Sequence, residues 1–419
     1  MEYDGDILRF AWPYVAGTGR ALVLTDDSMV VIRRAGEDDS VNGMYRSADV
    51  ETHGVRRRGD VLFGVRQGGG ALPLSLQNVV LHVVSQPSPS YYDADGVPVP
   101  QMVLNLPREL RESVASLKRG AGSYECGIWL GDIATARRIS LLDRLMVERL
   151  GRKCADVMNV FESCGGDWAQ TLYVMLFRAM GGNRNREPYM RLASLATYQM
   201  AMRERGSVEM VEALLLGTSG LLDGCYFDDY VKRLNDDYIY LARKYNITPM
   251  RSGEWALGGI RAQNRPLTRI VQLASFVAGR EFMFDSVIEC RSRADVHAIF
   301  DVEVSEYWAT HRVPDGTGER CPKRIGTEKS DLLAINAVVP VMFAYGQYTG
   351  KEALKEAAFE LLECIPPESN SIIRNWSGMG VPVKSALDSQ ALIQLKNEYC
   401  AAGRCTDCCI GKHIIKIGV

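Results

Sequence analysis

The chain has 419 residues, 47% of them hydrophobic and 24% charged, with a formal net charge of −2. That length allows two or three domains with cores of their own, and the near-neutral balance excludes a global basic field, so any contact with nucleic acid needs a local patch. Eleven cysteines are too sparse for a secreted disulfide scaffold and fit a reducing cytoplasm.

Residues 1–105 read mostly as strand. After an amphipathic opening at 7–14, two β-rich runs, 21–25 and 29–33, flank the turn-forming Asp26-Asp27-Ser28. Residues 45–53 alternate weakly and 59–65 form another candidate strand. The run Asn78-Val-Val-Leu-His-Val-Val84 is continuously apolar, as in a strand buried on both faces. His82 within it reads as a satisfied core histidine. Gly68-Gly69-Gly70 reads as a loop, and the proline-rich stretch 86–100 as an irregular excursion before a last extended piece at 101–104.

From Pro107 the character turns helical. Ile139, Leu142, Leu145, Met146, Arg149 and Leu150 follow a 3.6-residue stripe. Gly165-Gly166 breaks it, and Asp167 is placed to cap a helix over 168–180. Further helices are expected at 187–203, 207–216, 228–244, 267–277, 329–347, 351–364 and 389–400. The longest apolar run, 332–345, is interrupted by Asn336 and Pro340 and is shorter than a bilayer span requires. The acidic opening MEYDGD does not read as a secretory signal. These elements predict an α+β fold: a small strand-rich α/β domain over 1–105, then a large all-helical domain over 106–419 ending in a cysteine-rich segment.

Sequence signatures of catalysis are missing. There is no G-x-S-x-G, P-loop, H-E-x-x-H or dinucleotide fingerprint. Two constellations stand out instead. Cys400-x4-Cys405-x2-Cys408, with Cys409 beside it, is short enough to wrap one ion, and thiolates suit zinc. A complete structural zinc site usually shows two cysteine pairs, so buried thiols packing a helix end are the competing reading, and His413 or Cys321 are other candidates for a fourth ligand. The second constellation is Arg261, Asn264, Arg265, Pro266 and Arg269, with Asn183 to Arg186 of similar type. Arginines at a helix start can grip phosphate; equally, they serve as interior polar staples.

Several segments, in order, resemble the bacterial family catalogued as domain of unknown function 2851: NVVLHVV (78–84), GGNRNREPYMRLA (181–193), EALLLGTSGLL (212–222), NRPLTRIVQLA (264–274), INAVVPVMFAYG (335–346) and SQALIQLKNEYCAAGRCTDCCIG (389–411). The resemblance implies the same two-part layout and no established activity. It also singles out Asn185, Glu187, Asn264, Pro266 and Arg269, and three of the four terminal cysteines, with Cys409 as an extra.

The family's amino-terminal pattern, a Gly-Pro-Asp-Phe segment and a later Val-Glu-Ile-His segment, resembles the metal-holding core of PD-(D/E)xK-type nucleases. Such a site needs carboxylates for Mg²⁺. Threading this chain through it puts Tyr45 and Leu62 at the carboxylate positions and Gly64 at the histidine. The resemblance therefore implies a degenerate site with no catalytic residue. Asp49, Glu51 and His53 alternate on one strand and mimic a metal triad; the plainer reading is a solvated edge followed by a charged turn at Arg56-Arg57-Arg58. The expected function is binding of nucleic acid or a protein partner through Arg261, Asn264, Arg269 and Asn185, with zinc the one cofactor the cysteines invite. A metal-dependent nuclease and a purely structural protein are the alternatives.

Overall fold

The computed structural model describes residues 4–417 other than 41, 65–68, 121–123, 125, 225 and 282, so Val65 and Gly68 of the expected strand and loop lie outside the described residues. The fold is α+β, as the pattern predicts. Strand gives way to helix between Val103 and Arg108. The compact units divide the chain differently. One comprises Met1–Leu141, Asn370–Pro382 and Leu392–Val419, the other Leu142–Ser369 and Val383–Ala391.

The first unit is built on a mixed sheet. Helix α1 (Asp4–Ala16) precedes β1 (Ala21–Val23), β2 (Met29–Arg34), β3 (Glu37–Asp39), β4 (Met44–Thr52) and β5 (Val55–Phe63). The short β6 (Gly70–Ala71), β7 (Val79–Val84), the short β8 (Tyr91–Tyr92) and β9 (Gln101–Val103) follow. The main sheet runs β1-β2-β4-β5-β7-β9, with β3 added beside β4. The pairs from β1 to β5 are antiparallel, whereas β7 runs parallel to β5 and β9 parallel to β7. Asp26 makes the first turn by accepting from the Ser28 N–H at 3.0 Å.

Both sheet faces are covered, which is why β7 has no polar alternation. Leu8 and Trp12 of α1 pack with Val30, Val50, Val61, Leu81 and Val83 on one face. Met44, Leu62, Leu76, Val79 and Tyr91 fill the other. Trp12 is fully buried and donates its indole N–H to the Ala35 carbonyl at 2.9 Å. His82 is a core histidine, bonded to the Gly64 carbonyl at 2.8 Å, and burial pushes its pKa down. Helices α2 (Arg108–Arg119) and α3 (Gly127–Asp132) complete this stretch. The chain end returns to it, with Ile415 packed among Ile7, Ala11, Leu110 and Val114.

The second unit is helical. Its helices include α4 (Thr135–Ser163), of which residues 142–163 belong to this unit, α5 (Trp168–Gly181) and α6 (Arg186–Leu195). Asp167 caps α5, accepting from the Ala169 and Gln170 N–H groups. The single helix expected over 187–203 is instead two, α6 and Tyr198–Glu204. Extended backbone at Thr197 breaks it, the Thr197 hydroxyl caps the second helix, and Tyr173 Oη binds the Ala196 carbonyl at 2.9 Å. Tertiary hydrogen bonds thus replace helical ones. The helix expected at 329–347 is longer than the apolar run implied. A π-helical turn, Ala334–Val338, admits Pro340 without breaking the rod. The resulting helix, Thr327–Thr349, is long and apolar enough by length and composition to cross a membrane, which corrects the expectation drawn from 332–345, and 67% of its apolar window is buried inside the protein, as in a core helix.

Candidate functional site

The residues threaded onto the nuclease pattern do not converge. Tyr45 points into the α1 face of the sheet and Leu62 into the opposite core cluster, so carboxylates there would look away from each other. Gly64 has φ +74°, and a Cβ would come within 2.8 Å of the Gly5 Cα. No histidine fits that position.

Asp49 and Glu51 share the outer face of β4, but each is taken. Asp49 accepts from Arg56, which holds its carboxyl below the usual range, and Glu51 accepts from Arg33 Nη2 at 2.9 Å. Arg56, Arg57 and Arg58 lie in β5, not in a turn, facing Glu51, Val50 and Asp49 across the ladder. His53 stands beyond the strand at φ +51°, 3.5 Å from Asp26. What mimics a triad is a row of cross-strand ion pairs.

The cysteines come together in a way spacing alone does not reveal. Cys400, Cys405 and Cys408 line a cavity of about 470 Å³ with Tyr124, Trp129 and, unexpectedly, Cys126. Cys409 borders a neighbouring hollow with His413. Contact with Cys126, then burial, raises the Cys400 pKa. Cys408 begins the turn into Cys409–Ile417 and is held low by Cys409 and by the Gly411 and Ile410 N–H groups. Burial lifts the Cys405 thiol to about 11. The donor chemistry suits a thiophilic ion, but among the described residues no three His, Cys, Asp or Glu side chains are placed to hold one. The segment is anchored within its own unit. Arg9, 4% exposed, pairs with Asp407 and, at 2.5 Å, with Asp38, while Arg404 reaches the Ser40 hydroxyl at 2.9 Å.

In the helical unit, the two arginine-bearing stretches are stapled to each other. Asn185, 2% exposed, donates to the Ala256 carbonyl at 3.0 Å and accepts from its N–H at 2.8 Å. Arg184 donates to the Gly258 carbonyl at 2.5 Å. Arg269 is buried, donating to Gln272 Oε1 at 2.8 Å and to Asn264 Oδ1 at 2.5 Å, and burial lowers its pKa. Asn185 and Arg269 therefore act as staples, and exposed Asn264 orients Arg269. Arg184, Arg186, Arg261 and Arg265 are exposed around them. Among the described residues, the side chains of Arg186, Arg261 and Arg265 make no hydrogen bond or ion pair.

Two lysines of this unit escaped the sequence reading. Lys329 donates to the Ala179 and Met180 carbonyls at 3.0 and 3.3 Å, and burial, then Arg269, lowers its pKa to about 7. Lys153 is lowered to about 8 by burial and by Arg149, Arg178 and Arg186. Its position one helical turn past Arg149 is the signal sequence offered.

No curated protein and no solved structure matches the chain. A family match spans residues 72–371, taking in five of the six resembling segments and leaving out the cysteine segment at 389–411 and the strands before 72. Covering well over half of the sequence, this match establishes that the chain belongs to the family described as protein of unknown function (DUF2851).

Proposed function

We propose that this protein binds nucleic acid without cleaving it, through the exposed arginines carried by the stapled loops of its helical unit. The observation that carries this reading is the mutual hold of Asn185 and Ala256. It brings Arg184 and Arg186 to the loop that bears Arg261 and Arg265. A rigid loop pair on which Arg186, Arg261 and Arg265 have no partner among the described residues suits a phosphate backbone, and contact there is sequence-tolerant. The Asp49 and Glu51 carboxylates on β4 are matched to arginines rather than held open for Mg²⁺.

Fluorescence anisotropy with labelled single-stranded and duplex oligonucleotides tests it. Binding should weaken steeply between about 50 and 200 mM salt, and Arg261→Ala with Arg265→Ala should flatten that dependence. No cleavage should occur with Mg²⁺ or Mn²⁺. Undetectable binding at low salt would sink the proposal, as would cleavage abolished by Asp49→Ala and Glu51→Ala.

A further inference from the structure

The segment around Cys126 is pressed against the helical stretch that ends at Cys400. On that stretch, Leu395–Cys400, the Lys396 ammonium sits 4.3 Å from the ring centroid of Tyr124, and that ring packs edge-on to Trp376 at 5.0 Å. Gly127, which opens α3, leaves no room for a Cβ: one would stand 2.8 Å from the Met379 Cβ. Cys126 and Cys400 are thereby set side by side, and the two thiols share a hydrogen bond in which Cys400 keeps its proton. Both are half-buried and line the cavity of about 470 Å³, together with Ser116, Leu117 and Trp129.

The other two thiols of the cavity are committed to backbone. Cys405 donates to the Leu117 carbonyl at 3.6 Å. Cys408, 6% exposed, accepts from the Ile410 and Gly411 N–H groups and so caps the last helix, Cys409–Ile417. Cys126 and Cys400 instead turn their sulfurs to each other. A thiol that donates to a neighbouring sulfur stabilises a thiolate there, and the Lys396 ammonium acts on the same pair in the same sense. Cys126 is therefore the nucleophile of the pair, and Cys400 the thiol that closes on it.

We infer that Cys126 and Cys400 are an oxidisable pair, which hydrogen peroxide entering the cavity converts into a disulfide. The Cys126 thiolate attacks one peroxide oxygen and the O–O bond breaks. This leaves a sulfenic acid on Cys126, and the departing hydroxide takes up a proton to become water. Cys400 then attacks the sulfenic sulfur. The S–S bond forms, the S–O bond breaks, and hydroxide leaves with the Cys400 proton as a second water. Together the sulfurs lose the electron pair that the peroxide gains. The bridge ties the start of α3 to the end of the stretch at Cys400, and it does not depend on the stapled loops gripping a polymer.

The test is peptide mapping of the full chain, reduced, desalted and treated with hydrogen peroxide before the remaining thiols are alkylated. Mass spectrometry should find Cys126 linked to Cys400, with Cys405 and Cys408 alkylated. Cys126 should react at least about tenfold faster than exposed Cys321 and Cys364, the margin expected of a thiolate held by a neighbouring donor. In Cys400→Ser a sulfenic acid should persist on Cys126 and be trapped by dimedone, whereas Cys126→Ser should trap none at Cys400. If either variant fails to fold, the map and the rates of the unaltered chain still decide. A link between Cys405 and Cys408 instead, no link at all, or oxidation of Cys126 no faster than that of Cys321 and Cys364 would overturn the inference. So would a tightly held zinc ion that shields all four thiols of the cavity from alkylation until a chelator removes it.

Discussion

Arg9 and Lys153 are both cations drawn out of water, and the two units treat them differently. In the sheet unit, Arg9 sits between Asp38 and Asp407, and buried Asp60 meets Arg46 Nη1 at 2.6 Å and the Ser47 N–H at 3.1 Å. Even the half-buried carboxylates Asp49 and Glu51 of β4 have arginine partners. Charge at these positions locks the fold. In the helical unit, Lys153 feels Asp156 and Glu368 without a hydrogen bond or ion pair among the described residues, and Arg269 donates to the neutral oxygens of Gln272 and Asn264. The contrast is between cations met by carboxylates and a cation met by neutral oxygens.

The comparison breaks most readily at Arg9. Arg9→Ala would leave Asp38 and Asp407 facing each other and should cost about 3–5 kcal/mol, measured by urea denaturation. It should also free the cysteine segment, seen as faster alkylation of Cys405 and Cys408. A loss confined to a few tenths of a kcal/mol would show that the locking is illusory. Trp12→Ala, which empties the core beneath the sheet, should cost about 3–5 kcal/mol, read by the same urea denaturation.

A third measurement concerns Glu212, fully buried, accepting from Tyr230 Oη and Trp308 Nε1 at 2.7 Å each. Burial raises its pKa from 4.5 to about 7. The unfolded chain ionises first, so stability is fully present below about pH 4.5 and is lost as pH rises through about 7. The total is about 3 kcal/mol, at about 1.4 kcal/mol per unit. Glu212→Gln should remove that fall; an unchanged pH profile would show that another group sets it. The smallest effect belongs to the β4 row, where Asp49→Ala should move the thermal midpoint too little to resolve, as exposed pairs usually do. A large shift there would mean that the row does more than dress the outer face of an interior strand.

How much of this was legible follows from what a local pattern can report. The apolar run at 78–84 announced a strand covered on both faces, and Asp167 announced its helix, because burial and capping act within a few residues. The stripe along α4 correctly placed Arg149 on the buried side, yet it could not say that Gln390 and Glu368 would meet it. Cys126 offered no spacing signal, since its partners lie at the other end of the chain. Cys409, adjacent to them in sequence, borders a different hollow because successive residues entering a helix point in different directions.

By itself, then, the sequence determined the α+β class, the order of most elements and the family. These depend on residue type and period, which are written locally. Only the tertiary structure decided that Tyr45 and Leu62 face opposite cores, that Asn185 binds the loop at Ala256, and that Lys329 meets the Ala179 and Met180 carbonyls. Each depends on which distant side chain arrives opposite, and that is set by packing between elements whose separation along the chain carries no period.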